Sequence, residues 1–191
     1  SAGRVAMTLG MLATAGSTVA LTFSGAIFTD SQVLASNSFS AGTVEISTNP
    51  TSAAISLANM APGNVVTGPL TVSNDGSLQH RYAMTSLTLE NTLAAQLEMT
   101  IKSGVTTCDN SGFGTDGTVI YGPADLGSTS EAPILGDITQ GTQTGDRTLA
   151  AAASEILCVQ VSLPSTTGNS FQGTSTSATF NFYAEQTENN G

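Results

Sequence analysis

Three kinds of side chain in this 191-residue chain could do chemistry: a single histidine, two cysteines and fourteen carboxylates. Hydrolysis at zinc needs about three protein ligands and an open position, most simply His-Glu-x-x-His on a helix. His80, between Gln79 and Arg81 at the start of an alternating segment, has no second histidine to work with and reads as an exposed strand residue. There is no Gly-x-Ser-x-Gly elbow, no cysteine beside a histidine and no phosphate-cradling glycine loop. Asp109 and Asp116 stand in a glycine-rich stretch and offer the oxygen ligands calcium prefers. They lack a twelve-residue loop closing on a glutamate, so they are expected to be solvated turn carboxylates. Cys108 and Cys158 form an even pair in a chain of exported character. A bridge between them closes a loop of about 50 residues and contributes roughly 4 kcal/mol in the loop-entropy model. No catalytic residue, metal ligand, cofactor or small-molecule substrate is expected.

Only 9% of residues are charged, against about 25% in ordinary soluble domains. Solubility therefore rests on Ser, Thr, Asn, Gln and Gly, a surface suited to packed assemblies. The formal net charge is −10 with four Lys and Arg. That argues against nucleic acid, whose affinity comes largely from phosphate neutralisation, and against an electrostatically held anionic membrane.

The elements that must position these residues are short and extended. Val44 and Ile46, then residues 53–57, then Val65 to Val72 alternate or run apolar between the turn clusters Thr48-Asn-Pro50 and Asn59-Met-Ala-Pro-Gly63. Pro69 marks an edge or bulge, and Asn74-Asp-Gly76 is a hairpin-type turn. Residues 80–89 alternate with a change of parity that places a bulge near Ser86. Residues 91–97 suit one helical turn, and Leu97, Met99 and Ile101 alternate again. A loop at 104–117 carries Cys108, and a short strand follows at 118–121. Residues 122–145 lack periodicity and read as a long surface loop. An alanine-rich helix is expected at 149–153. A strand with Leu157, Val159, Val161 and Leu163 on one face carries Cys158 on the other, and the last strand, 178–186, turns Phe180, Phe182 and Ala184 inward. Eight short strands with almost no helix indicate an all-β, antiparallel jelly-roll sandwich over residues 29–191.

Residues 1–28 are of another kind. No charge falls between Arg4 and Asp30. Odd positions carry Val5, Met7, Leu9, Met11, Val19, Leu21, Phe23 and Ile27; even positions are mostly Ala, Gly, Ser and Thr. A period of two belongs to a strand that buries one face. A membrane or pilin-like helix gains nothing from such sorting, and a secretory signal segment, apolar with small residues at 24–26, is the further reading. The parity favours a donor strand that leaves its own subunit and fills an open edge in a neighbour. At about 3.3 Å per residue it spans roughly 75 Å, enough to pair in more than one place.

From residue 28 onward the order Phe28-Thr-Asp30, Phe39-Ser-Ala-Gly-Thr-Val-Glu-Ile46, Leu57-Ala-Asn-Met-Ala-Pro-Gly63 and Val72-Ser-Asn-Asp-Gly-Ser-Leu78, with the ending Phe180-Asn-Phe-Tyr-Ala-Glu-Gln186, resembles the TasA/camelysin family. The middle of the chain, with both cysteines, departs from it. The resemblance implies a secreted jelly-roll subunit of biofilm matrix fibres, with related archaeal bundling pilins similar. Its partners would be copies of itself and other matrix components, in an extracellular filament with an adhesive role. A monomeric secreted or membrane-anchored adhesion module is the alternative. A metallopeptidase, as some camelysin relatives are described, ranks third. In bacterial members the segment before Phe28 aligns with a cleaved signal peptide, so its strand-like parity here is the departure that points to a retained donor.

Overall fold

The computed structural model describes residues 41–52, 60–126 and 128–188. Nine strands form: β1 (Ile46–Asn49), β2 (Val65–Asn74), β3 (His80–Thr88), β4 (Glu98–Ser103), β5 (Thr118–Asp125), β6 (Ala132–Leu135), β7 (Arg147–Leu149), β8 (Ser154–Ser162) and β9 (Ala178–Gln186). Single 3-10 turns at Ala94–Gln96 and Asn169–Phe171 are the helical elements among the described residues. The class is all-β, and every strand pairing is antiparallel.

One sheet runs β1-β2-β8-β4-β5. In the other, β3 carries β9 along one whole flank, and β6 and β7 share the opposite flank end to end. Five strands thus face three columns. The chain steps between layers at five of its eight connections, which suits alternating side chains to one shared core. That core takes Leu70, Val72, Leu157 and Val159 from the wide sheet with Met99 and Ile101, and Tyr82 and Met84 from the narrow one. The strands at 65–74, 98–103, 154–162 and 178–186 stand where alternation puts them.

Other expectations are corrected. Asn74-Asp-Gly76 joins strands of different sheets rather than a hairpin. The Asn74 amide donates to the carbonyls of Leu78, Leu149 and Ala150, steering the chain across the layers. Residues 122–145 hold the end of β5 and all of β6; β5 runs through Pro123, and β6 is too short to show a period. The alanines at 150–153 make a tight turn between β7 and β8, with Ala152 at φ 57°, because backbone pairing on either side outweighs helix propensity. Pro69 lies in a strand flanked by β8, yet β1 covers only Thr71 to Asn74, so β2 is locally an edge there among the described residues. The irregularity expected near Ser86 is present, between Met84 and Thr85 and on the β6 side alone. The expected strand at 53–57 and residues 1–28 lie outside the described residues.

One end of the sandwich is closed by polar groups. The Tyr82 hydroxyl donates to Glu155 at 2.6 Å, and Arg147 Nε donates to the same carboxylate at 2.8 Å. The carboxylate of β8 therefore ties β3 and β7 of the opposite sheet. Burial and the Glu155 carboxylate together push the Tyr82 phenol far above its usual range. Replacing Glu155 by Gln leaves Arg147 without its counter-ion in a half-buried place, and we expect a loss of about 2 kcal/mol in urea unfolding.

Candidate functional site

The opposite end of the sandwich is apolar and open. A cleft of about 520 Å³ lies between the layers. Its floor is Val66, Leu70 and Val161 from the wide sheet, with Leu97 and Leu126. Phe180 and Phe182 of β9 form the facing wall, and Thr48, Pro50 and Thr179 stand among the remaining lining residues. Among the described residues no lining side chain is charged. The cleft follows from the unequal widths: five strands present more apolar surface than three columns can cover.

Its border is the longest unguarded edge among the described strands. Sheet edges are usually blunted by shortness, proline or charge. β1 has four residues and stops at Pro50; β5 is interrupted by Gly122-Pro123, where Gly122 at φ 79° packs on the Met99 carbonyl so closely that a Cβ would collide. β6 and β7 have four and three residues. β9 has nine, with no proline, and its one charge, Glu185, is paired with Arg81 of β3. At about 3.3 Å per residue it offers roughly 30 Å of main chain. Pairing with β3 occupies one flank; among the described residues no strand occupies the other.

The sites expected from sequence sort into three groups. Cys108 and Cys158 are bonded, with Cα atoms 5.5 Å apart, and pin the 104–117 loop onto the outer face of β8. Asp109 and Asp116 do not converge on a cation. Asp109 accepts from the amides of Ser111 and Gly112, and Asp116 from the amide of Thr106. The Ser111 hydroxyl foremost holds Asp109 below the usual carboxylate range, as Thr106 does Asp116. The cation that meets this loop is Lys102 of β4, whose ammonium donates to the Phe113 carbonyl at 2.7 Å and that of Asp116 at 3.2 Å. His80 is not the exposed residue expected: it is 0% exposed, because β7 and β9 flank it in the middle of the narrow sheet. Val5, Met7, Leu9, Met11, Val19, Leu21, Phe23 and Ile27 lie outside the described residues.

Sequence reasoning placed Phe180 and Phe182 inward but not beside an open cleft. The signal lay in relative sheet width, which alternation does not encode. The Tyr82–Glu155–Arg147 tie was likewise missed, since its members are far apart in the chain.

A family model described as camelysin metallo-endopeptidase matches residues 4–191. Comparison with curated proteins gives no match. Among solved structures, one titled "AvmM Catalyzes Macrocyclization in Alchivemycin A Biosynthesis" is similar at 12% identity and a TM-score of 0.38, covering 75% of this chain and 73% of that one. A likeness of that size carries no argument about fold or activity.

Proposed function

The chain belongs to the camelysin metallo-endopeptidase family, and from that membership we propose that it is a structural subunit of an extracellular filament, polymerising by donor-strand exchange. The observation that carries the reading is the match between two features of one chain. A charge-free stretch of sequence places its bulky apolar residues mostly at odd positions, and among the described residues a cleft without charged lining lies beside an unguarded strand edge. Main-chain hydrogen bonds to β9 would set direction and register. The odd-numbered side chains between Val5 and Ile27 would enter the cleft and complete the jelly roll of the neighbour. Burying each Leu or Phe contributes roughly 1.5–3 kcal/mol. Partners are therefore other copies of this chain, with other matrix components as further contacts.

The peptidase activity in the family's description needs a metal held by about three side chains. Among the described residues no three His, Cys, Asp or Glu side chains come together. The undescribed residues add only Asp30 to that ligand inventory. The single histidine is enclosed, and both cysteines are bonded to each other. These residues do not fit a zinc site of that kind, so the proposal assigns no hydrolytic step.

The test is a charge placed in the cleft. Phe180→Asp should keep the circular dichroism of the native sheets, since Phe180 is only partly buried. It should also yield no filaments by negative-stain microscopy under conditions where the unaltered chain polymerises. Filaments of the usual length from this variant would sink the reading.

A further inference from the structure

Among the described residues His80 is a buried titratable side chain with no polar partner, and the proposed assembly does not use it. Its ring is 0% exposed, and neither Nδ1 nor Nε2 has a hydrogen-bond partner. It is the only histidine in the chain. The ring sits edge-on to Tyr82, centroids 6.4 Å apart. On β7 it faces Leu149, and on β9 it faces Gln186.

The charged groups on the surrounding elements are already engaged or unsuited to receive a proton from it. On its own strand, Arg81 points to the other face and pairs with Glu185 of β9. Two residues along on its own face, the Tyr82 hydroxyl is bound to Glu155 of β8. That carboxylate also holds Arg147 of β7, on the same face as Leu149. On β2 the Asn74 amide is spent on three carbonyls, and Asp75 follows in the turn. Glu188 lies past the end of β9. The cations on its own strand and on β7, Arg81 and Arg147, can only oppose a second positive charge.

We infer that His80 is an acid-sensitive latch: on mild acidification its imidazole takes up a proton that the folded domain cannot accommodate, and the end of the sandwich where β3 meets β7 and β9 opens. The inference does not depend on polymerisation. Burial holds the folded imidazole below its ordinary value, while in the unfolded chain it titrates near 6.5. The unfolded state therefore binds the extra proton first. Stability is full above about pH 6.5 and falls as pH drops below it, the folding equilibrium constant losing up to about tenfold per pH unit. The carboxylates act in a lower window. Asp109, Asp116, Glu131 and Asp137 are held below their ordinary range by hydrogen bonds, so what they contribute is present above about pH 4 and lost beneath it.

Because the chain has one histidine, ¹⁵N imidazole resonances of the full chain report on it without assignment. We expect them to keep the neutral form from pH 8 down to at least 5.5 while the fold persists. The thermal midpoint should meanwhile fall by several degrees between pH 7.5 and 5.5. In His80→Leu and His80→Gln that fall should vanish. A native-state imidazole that titrates near 6.5 with the fold intact overturns the inference. So do variants whose midpoints decline in parallel with the unaltered chain. Should neither variant fold, the imidazole titration of the unaltered chain decides alone.

Discussion

A chain lacking residues 1–23 is expected to form no filaments at all, remaining as folded monomers or amorphous aggregates. The disulfide, the Tyr82–Glu155–Arg147 tie and the buried core of the described residues lie outside the deleted segment, so the truncation removes none of their members. What it removes is the apolar side of the ribbon, Val5 to Phe23. Five such residues represent roughly 7–15 kcal/mol of gross burial, set against about 4–15 kcal/mol for the lost freedom of association. The margin is small enough that losing the ribbon abolishes assembly rather than weakening it. Donor and acceptor can also be separated. The truncated chain keeps its cleft, and Phe180→Asp keeps its ribbon. Mixed together, the two should give dimers and nothing longer, while each alone stays monomeric by sedimentation. Filaments of normal appearance from the truncated chain would remove the donor role. Dimers absent from the mixture would show that the cleft beside β9 is not the acceptor.

The strands at 65–74, 98–103, 154–162 and 178–186 were readable because each buries one face, and a two-residue period records that directly. β6, β7 and the turn at 150–153 were not. Strands of three and four residues carry no period, and the alanines there follow the tertiary pairing rather than their own propensity. The Cys108–Cys158 bond followed from an even count and an exported character. The burial of His80 did not, because a residue at the start of an alternating segment looks the same whether its strand is central or peripheral. Asp109 and Asp116 were legible as turn carboxylates, and each binds main-chain N–H of its own loop, while the ammonium of Lys102 binds that loop's carbonyls instead. The cleft depends on the difference between two sheets, a quantity no single segment contains. Its composition was nonetheless foreshadowed: a chain with only four Lys and Arg has little with which to guard an edge.

Replacing Cys108 and Cys158 together by Ala should lower the thermal midpoint by roughly 8–16 °C, equivalent to about 4 kcal/mol for a chain of this size. The closed loop spans a sequence separation of 50. It runs from the 104–117 loop, through β5, β6 and β7, to β8. It therefore restrains the unfolded chain across both sheets. In the folded state the same loop has other anchors. Lys102 holds two of its carbonyls and stacks over Phe113 at 4.8 Å from the ring centroid, and the Asn110 amide donates to the Val65 carbonyl at 3.0 Å. The native structure should therefore change little when the bond is removed, with near-native circular dichroism at 25 °C and most of the destabilisation arising in the unfolded ensemble. Lys102→Met in the bonded chain separates the two contributions. It breaks the folded-state anchors while leaving the covalent restraint, and should cost only about 1–2 kcal/mol. If the cysteine variant lost less than the lysine variant, the noncovalent seat on β4 and β2 would be what holds this side of the sandwich, and the covalent link would be secondary to it.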